Sequence, residues 1–282
     1  MTVATTPAPD SLAQLRPARS AAVTAFGALL LRDVHVLRKT FKAFVLRTVM
    51  QPLFTVFVFT YVFPKIGQGV GGNGQGATEF STLLVPGVIA TACIFQGIQA
   101  VALPLVQEFG YTREIEDRVL APLPVWAVAA EKLVSGAVQG LLASLVVFPL
   151  ARFIPATPVH MHVQWLHLIP VALLAALVGS SLGLTIGTRV EPRQVPLVFS
   201  VIVLPMTFLG AIYYPWARLD SIPWLKWTVL VNPLVYMSEG LRAALTQGIP
   251  HMRLPAIYLA LICSAAVLSW AGISGFRKRV IQ

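Results

Sequence analysis

Apolar residues fall in six long blocks, roughly 46–63, 82–106, 124–150, 165–187, 195–213 and 255–275, and the connectors between them carry most of the charge. A helix needs about 20 apolar residues to cross roughly 30 Å of hydrocarbon, and lipid tolerates no unpaired backbone group. Each block therefore predicts a transmembrane helix. Pro52, Pro86, Pro104 and Pro205 lie inside blocks and mark kinks more than ends, because neighbouring helices re-satisfy the carbonyls that a proline frees. The fold class expected is an all-α polytopic membrane protein with six transmembrane helices.

Ahead of the first block, Leu29, Leu30, Val34, Leu37 and Phe41 recur at helical spacing, with Arg32, Arg38, Lys39 and Lys42 between them. This pattern over 23–42 predicts a basic amphipathic helix anchored at the cytoplasmic interface, where each cation near anionic lipid contributes about 1 kcal/mol. Residues 1–22 are rich in Ala, Pro and Thr and lack a compact apolar run. They are expected to form a disordered cytoplasmic tail and not a cleaved signal. The remainder, 23–282, is expected to be one transmembrane domain.

Composition supports the membrane assignment. Hydrophobic residues make up 56% and charged residues 11% of the chain, against about 25% charged in soluble domains. A net charge of +10 would point to nucleic acid in a soluble protein. Here it reports topology. With the amino terminus inside, fourteen Lys and Arg fall in cytoplasmic segments and six outside, leaving Lys132 in the third block uncounted. Both termini are thus expected in the cytoplasm, with membrane lipids and no nucleic acid as partners.

Two connectors carry more information than the rest. The loop 107–123 holds four acids and two arginines between Glu108 and Arg118, with Ile115, Val119 and Leu120 forming one apolar stripe and Pro122 and Pro124 stopping the helix. It suits either a solvated connector or a helix that docks a soluble partner, with an apolar centre and a charged rim. The segment 214–254 lies outside on this topology, yet it carries Trp216, Trp224, Trp227 and Tyr236 and two apolar stretches too short to span. Broken at Pro223 and at Asn232-Pro233, it predicts an outer re-entrant helical hairpin.

Pro233-Leu234-Val235-Tyr236, followed six positions after the tyrosine by Arg242, resembles the signature of ABC type-2 exporter permeases. Phe208-Leu209-Gly210-Ala211 and Pro215 stand where that family places small residues and a helix breaker. Asp117-Arg118 and Pro122-Leu123-Pro124 resemble the cytoplasmic connector of the daunorubicin-resistance branch. The resemblance implies a transport subunit in a bacterial cytoplasmic membrane, without enzymatic activity of its own. It implies two copies of a separate nucleotide-binding ATPase, which would hold ATP and Mg, and a second copy of this or a similar permease. It makes Arg113, Glu114, Ile115, Glu116, Asp117, Arg118, Val119 and Leu120 the coupling helix. Pro233, Leu234, Tyr236, Glu239 and Arg242 become the hairpin signature. The cargo it implies is a hydrophobic drug, a lipid or a lipid-linked glycan. Export of a polysaccharide, and an ion-coupled carrier or channel of another class, remain the alternatives.

Other chemistry finds little footing. The glycine-rich stretch 67–76 lacks the Gly-Lys-Ser or Gly-Lys-Thr of a phosphate loop. His160, His162 and His167 have no cysteine or acid near them to complete a zinc set, and Cys93 and Cys263 lie in apolar blocks. Arg47, Glu131 and Lys132 stand near cytoplasmic ends and are expected to snorkel. Glu239 and Arg242, at i and i+3, are expected to pair. The block centres are almost free of charge, whereas proton- or sodium-coupled carriers usually need an intramembrane carboxylate.

Overall fold

The computed structural model describes residues 18–68, 75–112 and 123–281, and all regular structure in these residues is helical. Helix α1 (Ala18–Lys39) begins earlier than the pattern predicted and breaks at Thr40 into α2 (Phe41–Lys65). α3 (Gln75–Gln107) continues into a π turn at Glu108–Thr112. There follow α4 (Val125–Phe153), α5 (Trp165–Arg189), α6 (Val195–Phe208), α7 (Pro223–Thr228), α8 (Pro233–Leu245) and α9 (Leu254–Ile281).

Five of these, α2, α3, α4, α5 and α9, are long and apolar enough to cross a membrane. The sixth predicted crossing, 195–213, is helical only over Val195–Phe208. Its 14 residues rise about 21 Å at 1.5 Å each, short of the roughly 30 Å of a hydrocarbon core. Hydropathy alone could not reveal this. The helix is interrupted by a π turn at Phe199–Val203, just before Pro205, and ends at Leu209.

α3 is the most enclosed of the five long helices, packed against α4, α5 and α8. Small residues permit this closeness. A Cβ on Gly97 would stand 2.7 Å from the Gly179 carbonyl carbon, and one on Gly183 would stand 2.8 Å from the Gly97 carbonyl oxygen. Close backbone approach of this kind replaces the hydrophobic drive that lipid removes between helices. Pro52, Pro86 and Pro104 lie inside helices, as do Pro149 and Pro170. Buried hydroxyls return to their own helices: Thr60 donates to the Val56 carbonyl, Thr91 to that of Gly87 and Thr188 to that of Leu184.

Candidate functional site

α8 is short, about 20 Å at 1.5 Å per residue, and 11 of its 13 residues are buried. It starts with a cap that its sequence spells out. The Asn232 side chain accepts from the Leu234 N–H at 3.0 Å, and Pro233 occupies the first turn, where its missing N–H costs nothing. It ends under the loop before α5. The N–H groups of His162 and Gln164 donate to the carbonyls of Leu245 and Ala244 at 2.9 and 2.8 Å, satisfying acceptors that a helix end leaves open. A Cβ on Gly240 would meet Val171 of α5 and Ile257 of α9 at 2.9 and 3.0 Å, so α8 lies hard against both.

Three polar side chains from Asn232 and α8 reach back to the broken end of α6. Asn232 Nδ2 donates to the Met206 carbonyl at 2.7 Å, Ser238 Oγ to Gly210 at 2.6 Å, and Arg242 Nη2 to Ala211 at 2.8 Å. These carbonyls lie where α6 stops and its backbone turns, with Ala211 at φ 53°. A cation at a helix carboxyl end is also favoured by the helix dipole. The α6 end is thereby satisfied from a different element.

Glu239 completes the node. It forms an ion pair with Arg242, and both side chains are fully buried. Its Oε1 also accepts from the Trp216 N–H at 2.9 Å, and its Oε2 from the Met252 N–H at 2.7 Å. One carboxylate therefore ties α8 to the 3₁₀ turn at Trp216–Ser221 and to the residues leading into α9. A buried charge is tolerated when it is both paired and hydrogen-bonded. Tyr236 donates to the Leu230 carbonyl at 2.9 Å, and Leu234 is fully buried under Gly210. Trp216 Nε1 reaches the Lys226 carbonyl at 3.0 Å, and Lys226 pairs with Asp220 and lies over the Trp216 ring.

At the opposite end of the bundle the structure departs from the sequence expectation for Glu131, which is buried, and for Lys132. Lys132 does not snorkel. It is buried, with its Nζ 3.4 Å from Glu108 Oε1 at the end of α3 and 3.8 Å from Asp33 Oδ2 on α1. The carboxylates come from elements 24 and 99 residues away in sequence, so no local pattern announced them. Arg32, Arg38 and Lys39 are exposed on α1, and Lys42 is exposed on α2, beyond the break that the predicted 23–42 helix lacked. Arg113 to Leu120 lie outside the described residues. Of the three histidines, His160 and His162 donate their backbone N–H groups to Thr82 Oγ1 and the Leu245 carbonyl, and the His167 ring meets the Tyr258 hydroxyl.

A short buried helix thus closes the end of a broken apolar helix, beside five helices long and apolar enough to cross a membrane. The ABC-2 type transporter family matches residues 24–246, well over half of the chain. The chain belongs to this family and is a permease subunit of that class. It is 27% identical over 201 residues to the inner membrane transport permease YadH of Escherichia coli K12, covering 70% of this chain and 74% of that one. The YadH proteins of Escherichia coli O157:H7 and Shigella flexneri match with the same figures.

Proposed function

We propose that this chain is the membrane-spanning half of an ATP-driven exporter in a bacterial cytoplasmic membrane. It works with a second permease, alike or similar, and with two copies of a separate nucleotide-binding ATPase. Its cargo is a hydrophobic drug, a lipid or a lipid-linked glycan. The family and the YadH name support the permease role and the membrane. The positive-inside count supports cytoplasmic termini, with the loop at Arg113 to Leu120 facing the ATPase. Cytoplasmic termini require an even number of crossings, so α6 and the irregular stretch through Ile212, buried over 210–212, together act as the fifth of six. Irregular backbone at membrane depth is stable when protein covers it, and the α8 side chains supply that cover.

The observation that carries the proposal is the attachment of α6. Its outer end is bonded to Asn232, Ser238 and Arg242, while Leu197, Val201, Ile202 and Leu204 along it are exposed. An element held at one end tilts without breaking the tight α3–α5 contact, which lets closure of the ATPase move the outer exit. Purification of the tagged chain from its native membrane in mild detergent tests the partner. An ATPase with a Walker motif should co-purify in equal amount. A chain that purifies reproducibly alone, while remaining active in transport, contradicts the proposal.

A further inference from the structure

A cavity of about 580 Å³ opens between α1, α2, α3 and α4 at the end of the bundle that holds Lys132. That volume lies within the roughly 300–1,000 Å³ typical of small-molecule pockets. Its wall is mixed. Arg32, Arg47 and Lys132 face Asp33 and Glu108, while Val36, Leu37, Phe44 and Leu103 form an apolar side. The polar lining extends deep. Gln99 stands nine residues before Glu108 on α3, which places it about 13 Å further along the helix axis. Gln139 of α4 also lines the cavity, and behind it Gln96 accepts from Thr48 Oγ1 at 3.1 Å and approaches Gln139 at 3.4 Å.

Amides and cations at such depth are costly beside hydrocarbon. A polar recess walled by apolar helices is nevertheless the surface that an amphiphile's headgroup requires. The cations supply phosphate contacts, and the amides and carboxylates meet hydroxyl or amine groups. The apolar wall accompanies the start of an acyl chain. We infer that this cavity binds the phosphate-bearing headgroup of a membrane lipid drawn from the adjacent leaflet. The inference rests on the orientation and amphiphilic cargo proposed above, and it selects phospholipid-type cargo among them.

The test uses the full purified chain in native mass spectrometry, with phosphatidylglycerol and a phosphate-free glycosyl diacylglycerol of equal chain length as probes. Phosphatidylglycerol should be retained preferentially. Arg47→Gln and Gln139→Leu should each weaken its retention, Arg47→Gln by about tenfold. Arg47 is exposed, so its loss leaves packing intact. Arg152→Gln, at the other end of α4, should leave retention unchanged. Millimolar inorganic phosphate should not displace the lipid. Equal retention of the phosphate-free lipid, indifference to Arg47→Gln, or displacement by inorganic phosphate overturns the inference. The assay contains no ATPase, so its failure leaves ATP-driven export to be judged separately.

Discussion

Arg242 donates to the carbonyl of Ala211 at 2.8 Å across 31 positions of chain, with the guanidinium fully buried and the alanine at φ 53°. A left-handed alanine directs its carbonyl at a cation, and the cation is neutralised by Glu239 one turn earlier. The joint between α6 and α8 is therefore electrostatic at its centre and apolar around it.

Removing either charge strands the other. Arg242→Ala and Glu239→Ala should each destabilise the chain by about 3–5 kcal/mol, the range for a broken buried pair. Glu239→Ala should be the more severe, because it also frees the Trp216 and Met252 N–H groups. The double variant should cost about as much as Glu239→Ala alone, since contacting residues are not additive. Thermal unfolding of the two singles and the double in detergent checks this, with efflux normalised to chain in the membrane. Additive losses would mean that the two act independently.

The strain at Ala211 gives a second expectation. A non-glycine residue in this region costs of order 1–3 kcal/mol, and a β-branched one more. Ala211→Gly should leave the unfolding temperature equal or slightly raised, whereas Ala211→Val should lower it and reduce transport. Equal behaviour of the two variants would show that the turn does not need this conformation.

Much of the architecture was legible because apolar length is a direct physical requirement. The blocks at 46–63, 82–106, 124–150, 165–187 and 255–275 correspond to the five long helices. The Glu239–Arg242 pair was legible because i, i+3 neighbours share a face. Two features were not. The shortness of α6 depends on the π turn at Phe199–Val203 and the left-handed Ala211, neither of which alters hydropathy. The burial of Lys132 depends on acids delivered by α1 and α3. Asn232 before Pro233 breaks the apolar pattern and is also a helix-start signal, which the structure uses as the cap of α8.

Topology is checked by thiol labelling in a variant lacking Cys93 and Cys263. A cysteine placed at Gly72 should react with an impermeant reagent in intact cells, and one at Glu116 only after the membrane is opened. The reverse pattern would invert the orientation.

For coupling, charge reversal of Glu116 and Asp117 together should reduce co-purification of the ATPase or release its hydrolysis from transport. Membrane insertion should be unchanged, because both residues lie in a connector between spans. Unaltered complex and unaltered transport would return the loop to a simple solvated connector.

The most direct measurement of the central claim is cargo uptake into inside-out vesicles containing the chain and its ATPase. Uptake of a fluorescent phospholipid or amphiphilic drug should require ATP hydrolysis, stop with a non-hydrolysable analogue, and persist when ionophores collapse proton and sodium gradients. Uptake that proceeds without ATP and disappears with those gradients would contradict the account.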